Sequence, residues 1–431
     1  MKIQAVKGTR DFYPAEMARH NWIVDGWKAA SLRNGFEEYD GPIFEYLKMY
    51  QVKSGDEIVE QLFSLQDRGG RDLAIRPEIT PTLARMVNQR INALPRPIKW
   101  FSVPRLCRAE RPQKGRLREF FQWNIDIIGE DRPEADAEVI FTTVDYLRSI
   151  GLTSQDVRAK ISSRRLLAAV LKRIGIPADD LDSLYALLDK KPKLPAETFE
   201  ALLAERVPDA EQAGRISEFM SLDSVDRVQE FIAGDEEGLN ALTELKVAFA
   251  ALELMGIADY CAFDPSIVRG LAYYTGVVFE VHDVGGELRA ICGGGRYDNL
   301  LRDFGGPSVA ATGMGMGDAV LEILLREKGL LDEQVPKRQL AYFVACADRA
   351  FSKEMYSITA AIRSRGRSAN FSYKLGGLGK QLKTASAQNA STCIIIGQEY
   401  LDKRELIVKD MSTGEQTVVP AEAFLAGLKG D

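Results

Sequence analysis

The chain has 431 residues, 45 % hydrophobic, 27 % charged and 9 % aromatic, with a formal net charge of −6. That balance excludes a disordered or fibrous chain, and the length calls for two or three domains because it exceeds what one hydrophobic core supports. No apolar run approaches the roughly 20 residues of a spanning helix, and the acidic balance excludes a protein coated in basic surface, though not a local cationic patch for nucleic acid.

The leading stretch "MKIQAVKGTRDFYP" lacks the apolar segment of a secretory signal and the Arg/Ser-rich character of a transit peptide, so a cytoplasmic protein without a membrane partner is expected. Cys107, Cys261, Cys292, Cys346 and Cys393 are scattered and form no C-x-x-C pair, which predicts buried, reduced thiols and no metal-binding residues. His20 and His282 are the only histidines and are expected to be structural or surface residues. Chemistry should therefore run on arginine, carboxylates and a borrowed metal ion.

In chain order, Trp22, Ile23, Trp27 and Leu32 predict one face of a helix that Gly35 ends. "FSLQDRGGRDLAIRP" reads as a hairpin turning at Asp67-Arg68-Gly69-Gly70, with a helix from about Thr80. Two strand-like stretches follow, "IKWFSVPRLCRAE" and "REFFQWNIDIIG", joined by "RPQKGRL" into an antiparallel hairpin. In its second strand the period of two sends Phe121, Trp123, Ile125 and Ile127 to a core and leaves Phe120, Gln122, Asn124 and Asp126 on the other face. On the first strand Arg108 aligns with Glu110, and the turn adds Arg111, Lys114, Arg116 and Arg118. Such a face is either a solvated sheet surface or a nucleotide site, where guanidiniums fork onto phosphate oxygens, a ring stacks on a base and carboxylates position amines or a metal.

Residues 155–255 read as an all-helical insertion. Strands return in "GLAYYTGVVFEVHD" and "GELRAICG", and "GGGRYDNLLRDFGG" runs into a short helix. Taken alone, the triple glycine 293–295 reads as a turn, "GMGMG" (313–317) as tight strand packing without G-x-G-x-x-G spacing, and "DKKPK" (189–193) as a solvated helix end. On a regular strand Tyr273 and Tyr274 cannot both face one cavity. A charged stretch with Pro336, near 326–338, is a linker, and the alternating strands and helices beyond it predict an α/β domain with a largely parallel sheet.

"RAERPQKGRLREFFQ" closely resembles motif 2 of class II aminoacyl-tRNA synthetases, in the form found in histidyl-tRNA synthetases. "GFEEYDGPIFE" (35–45) resembles motif 1, which carries the dimer interface of that class, while "VRGLAYYTGVVFE" (268–280) and "CGGGRYDNLL" (292–301) resemble the two histidine-specific motifs. With "KGTRDFYP" (7–14) these matches fall in the family's order along essentially the whole chain. The resemblance implies an α+β fold: an antiparallel class II sheet with flanking helices in a core of residues 1–154 and 256–330, the insertion at 155–255, and an anticodon-binding-like α/β domain at 338–431. It implies a cytoplasmic homodimer that activates L-histidine with ATP, Mg²⁺ accompanying the phosphates. The product then passes to the 3′ end of histidine tRNA, read through its extra 5′ guanosine and its anticodon.

Position by position, Arg108 resembles the arginine that holds the α-phosphate and the amino-acid carboxylate, Glu110 the residue at the adenine amino group, Arg116 the loop arginine at the γ-phosphate, and Phe120 the ring stacked on adenine. Gln122 and Asp126 resemble amino-acid binders, as do Glu78, Thr80 and the backbone at Ile79. Arg269 resembles the arginine beside the reacting carboxylate, and Tyr273 and Tyr274 the lining of the imidazole pocket. Two positions depart. Val320 stands where the motif 3 arginine is expected, leaving Arg116 or Asp318 to handle γ-phosphate and metal, and Ala272 stands where aspartate is common. The missing arginine keeps open a catalytically silent histidine sensor like the regulatory subunit of ATP phosphoribosyltransferase, or a tRNA-binding module without activation. Arg269, the full motif 2 and the C-terminal domain favour the enzyme.

Overall fold

The computed structural model describes residues 3–51, 62–191, 194–269, 273–336 and 339–428. Two compact units meet in sequence at Val335 and Pro336. In chain order the first holds strands β1 (Glu37–Glu38), β2 (Phe44–Tyr46), β3 (Phe63–Gln66), β4 (Asp72–Ile75), β5 (Ile98–Ser102), β6 (Arg105–Cys107), β7 (Glu119–Ile128), β8 (Val157–Ser163), β9 (Cys261–Phe263), β10 (Val277–Asp283), β11 (Cys292–Arg296) and β12 (Ala311–Gly317). Among the described residues the main sheet runs β1-β5-β7-β12-β11-β10-β8-β9, with β6 also on β7. Only the edge pairs β1/β5 and β8/β9 are parallel.

The period of two in β7 decides which face is core. Trp123, Ile125 and Ile127 are fully buried against helices Pro14–Arg33 and Pro133–Ser149. Trp123 forms a triangle of rings with Trp27 and Tyr146, its ring centre 6.3 and 5.4 Å from theirs, and its indole N–H donates to Ser31 Oγ at 2.8 Å. Leu32 does not share that face: it is 63 % exposed, because a step of five residues from Trp27 is one turn and about 140° more, close to the opposite side of the helix.

The helical region begins later than expected. Residues 157–163 form β8, alternating buried and half-buried positions as far as Ile161, in register with β10 from Val157–Asp283 to Ser163–Val277. Helices then cover 164–174, 181–188, 196–206, 210–219 and 236–254. Helix Glu236–Leu254 packs on helix Pro133–Ser149, so Leu184, Phe199, Phe219 and Leu245 share one core with the main sheet. β2, β4 and β3 form a separate three-stranded antiparallel sheet whose register puts Phe44, Tyr46 and Leu65 on one face, 51, 57 and 43 % exposed.

In the second unit, strands β13 (Leu340–Cys346), β14 (Ala369–Phe371), β15 (Ala390–Ile396), β16 (Glu405–Asp410) and β17 (Gln416–Pro420) order as β14-β13-β15-β16-β17. The first three are mutually parallel and the hairpin β16–β17 is antiparallel. Both faces of β13 are buried, Val344 and Cys346 in one cluster and Phe343 and Ala345 in another, as expected for parallel strands covered on two sides. No helix among the described residues is long and apolar enough to cross a membrane.

Candidate active site

A cavity of about 1160 Å³ lies against the face of the main sheet turned away from Trp123, lined along β7 by Phe120, Gln122, Asn124 and Asp126. With Asn124 5 % and Asp126 3 % exposed, this polar face is enclosed, not solvated. β6 and β7 pair from Arg105–Phe121 to Cys107–Glu119, and the hairpin continues through Arg108 N–H to the Arg118 carbonyl at 2.8 Å and the reciprocal pair Gln113–Arg116. Its base is tied to the leading segment, since the amides of Arg118 and Glu119 both donate to the Gly8 carbonyl, at 2.8 and 3.4 Å.

Arg108 and Arg116 line this end together with Glu110. Arg108 Nε donates to the Pro77 carbonyl at 3.0 Å and its guanidinium stands 5.2 Å from the Phe120 ring centre, while Arg116 pairs with Glu110. The other turn cations go elsewhere. Lys114 reaches Glu327 at 3.2 Å, Arg118 donates to the Glu110 carbonyl at 3.0 Å, and Arg111 is exposed.

Glu78, Thr80, Asp126, Tyr273, Tyr274 and Tyr297 also line the cavity, Glu78 next to the Pro77 carbonyl that Arg108 holds. Burial pushes the Asp126 carboxyl up to about 7, against the hydrogen bond it accepts from Tyr297. Burial also raises Glu78, an effect reduced by Arg108 and by the Tyr273 hydroxyl at 3.4 Å. Tyr273 and Tyr274 both reach the wall, rings 4.9 Å apart, because β10 starts only at Val277 and the strand alternation does not apply to them. Ile79 is not on the wall; its side chain is fully buried in the core beside Leu83 and Tyr274.

Arg269 joins the cavity from the loop before β10, with a left-handed backbone at φ +60°. Its Nη1 donates to Glu280 Oε1 at 2.7 Å, and the other oxygen of Glu280 lies 3.0 Å from His282 Nε2. Burial opposes the charge on Glu280, but His282 and Arg269 outweigh it and hold the carboxyl near its low extreme, about 2. Sequence reasoning missed Glu280 and Tyr297 and misplaced His282, which lines the cavity. The signal for two of them was available: "VVFEVHD" alternates as β7 does, with Val277, Phe279 and Val281 in the core and Glu280 and His282 on the cavity face.

The triple glycine is a central strand and not a turn; β11 pairs with both β10 and β12. A Cβ on Gly293 would overlap Arg269 Nη1, and one on Gly313 of β12 would overlap Asp126 Oδ1. These glycines form a floor on which both side chains lie.

Asp318 does not face the cavity. It receives Arg10 Nη2 at 2.5 Å and the Phe121 amide at 3.1 Å, and it is buried, so it has no free oxygen for a phosphate-bound metal. Val320 is buried beneath the hairpin turn, its Cγ2 3.0 Å from where a Cβ on Gly115 would sit, and the hairpin's cations on the cavity are Arg108 and Arg116. His20 is structural, its ring 4.2 Å from Phe121 and its pKa lowered to about 4 by burial, Arg10 and Arg105. Ala272, and Pro192 and Lys193 of "DKKPK", lie outside the described residues, whereas Asp189 of that stretch lines the cavity.

One cavity thus gathers Arg108, Arg116 and Arg269 among its five lining arginines, a ring flanked by a carboxylate, and a buried carboxylate–tyrosine set. Fixed cations in such a space neutralise charge that develops between two anions held side by side.

Residues 8–318 match the family model described as Histidyl-tRNA synthetase, and residues 341–431 match that of an Anticodon binding domain. The chain is 38 % identical over 410 residues to the chloroplastic/mitochondrial histidine–tRNA ligase of Arabidopsis thaliana, covering 95 % of this chain and 83 % of that one. It is 38 % identical over 426 residues to the histidine–tRNA ligase of Opitutus terrae, covering 98 % and 97 %. In fold it is similar to the crystal structure of histidyl-tRNA synthetase from Nostoc, with a TM-score of 0.83 at 22 % identity over 99 % of both chains.

Proposed function

The chain belongs to the histidyl-tRNA synthetase family, and from that premise we propose that it activates L-histidine with ATP to histidyl-adenylate and transfers the histidyl group to the 3′ end of histidine tRNA. The observation that carries this is the convergence of Arg108, Arg269 and the Asp126–Tyr297 pair on one cavity. The histidine carboxylate attacks the α-phosphorus while pyrophosphate leaves in line, so two anions must be brought together. Arg108 and Arg269 neutralise them, Phe120 and Glu110 hold the adenine, and Arg116 takes the γ-phosphate that Val320 cannot. Imidazole is selected by Glu78, Gln122, Asp126, Tyr273 and Tyr274 with Thr80, polar groups on the cavity wall that lose their partners around any other side chain.

Glu110, Asp126 and Glu280 are already engaged by Arg116, Tyr297 and Arg269, and among the described residues no three His, Cys, Asp or Glu side chains converge as metal ligands. That donor set fits a Mg²⁺ carried in on the phosphates of ATP, where it would screen their charge.

We further read the protein as a cytoplasmic homodimer, to which its free cysteines and the exposed apolar row Phe44, Tyr46 and Leu65 within and beside motif 1 are suited. The rival reading as a silent histidine sensor is not favoured, because histidine–tRNA ligases match along nearly the whole chain and the anticodon-binding domain is present. Histidine-dependent exchange of pyrophosphate into ATP is the test. Arg269→Ala should lower that exchange by about two to three orders of magnitude, with circular dichroism unchanged. Undiminished exchange in a folded variant removes Arg269 from the mechanism, and no exchange in the parent protein restores the sensor.

A further inference from the structure

We propose that Arg164 is a positioning residue for Arg269, and that through it the packing of the inserted helices sets the geometry of the activation site. The inference rests on the reading of Arg269 as the second neutralising cation. A residue with a side chain enters the left-handed region only where its surroundings over-determine it, and Arg269 does so at φ +60°. Arg164 provides that constraint. Its Nη1 donates to the carbonyls of Val268 at 3.2 Å and Arg269 at 3.0 Å, and its own amide donates to the Gly276 carbonyl at 2.8 Å. One residue therefore holds the backbone at Val268 and Arg269 and also meets Gly276, just ahead of β10.

The grip is anchored outside the loop. Arg164 is the first residue of helix Arg164–Ile174, whose start is fixed by Ser163 Oγ accepting the Leu166 amide at 3.3 Å. Its guanidinium lies 4.1 Å from the ring centre of Tyr185, a buried residue of helix Leu181–Leu188 in the insertion. The guanidinium carbon sits over the ring while Nη1 reaches two successive carbonyls, and a planar guanidinium suits that pairing better than the point charge of a lysine. Arg269 is thus held twice, by Arg164 at its backbone and by Glu280 at its tip.

The experiment is a double-substitution cycle read by single-turnover adenylate formation in the full-length protein. Arg164→Ala should lower the turnover rate by about ten- to a hundredfold, the loss that a shift of about 1 Å in a reacting group produces, with KM for ATP unchanged. Tyr185→Leu should lower it in the same sense and less. In an Arg269→Ala background Arg164→Ala should cost nothing further, because the group it positions is gone. Equal fold-losses in both backgrounds, or full activity in a cooperatively melting Arg164→Ala protein, overturn the proposal. If the alanine variant does not melt cooperatively, Tyr185→Leu carries the same comparison. An Arg269→Ala protein that keeps full activity instead refutes the role of Arg269 on which the proposal stands.

Discussion

Asp126 couples the amino-acid end of the cavity to pH. Folded, its carboxyl titrates at about 7, whereas in an unfolded chain it titrates in the ordinary carboxylate range near 4. The folded state therefore keeps a proton that the unfolded state releases, and the associated stability is full below about pH 4 and lost as pH rises through 7, by roughly 1.4 kcal/mol per pH unit in that window. Asparagine keeps the shape and the acceptor for Tyr297 but does not ionise. Denaturant unfolding of the ligand-free protein should show Asp126→Asn gaining on the parent from pH 4 to 7 and holding constant above. A difference that is flat across that range rules out a carboxyl titrating at the core of the site.

Among the elements, β11 and β12 depend most on single atoms. Gly313→Ala places a methyl against Asp126 Oδ1 and the Ile125 carbonyl, and since β7 is hydrogen-bonded on both sides it cannot retreat. Overpacking of this kind costs about 1–3 kcal/mol, and here it also displaces Asp126. Calorimetry should find histidine binding weakened at least tenfold with Tm lowered, while Gly377→Ala, in open space in the second unit, changes neither. The same strands explain what the sequence concealed. β7 was legible because large apolar and polar residues alternate in it, and the two face assignments survive in Trp123 and Asp126. β11 carries no side chains over Gly293–Gly295 and so reads as a turn, although its bareness is what lets β10, β11 and β12 lie close beneath Arg269. Tyr297 was hidden for a different reason: its partner Asp126 is distant in sequence, and no local period joins them. The face of Phe120 followed from the strand period, whereas the meeting of Arg108 and Arg269 in one cavity was implied only by family resemblance.

At the scale of the whole molecule, every residue lining the cavity belongs to the unit that ends at Val335. A chain of residues 1–335 should therefore keep histidine-dependent pyrophosphate exchange, while kcat/KM for charging tRNA falls tenfold or more, a loss of about 1.4 kcal/mol of transition-state stabilisation. Loss of exchange in a folded 1–335 chain would falsify the assignment of activation to the first unit alone. Completion of that unit also has an order in time. Gly8 clasps the hairpin of Arg118 and Glu119, and Arg10 closes on Asp318, 308 positions further along. Arg10 is synthesised 308 residues before its carboxylate partner, so this clasp closes only after the strands of the main sheet between them have been made.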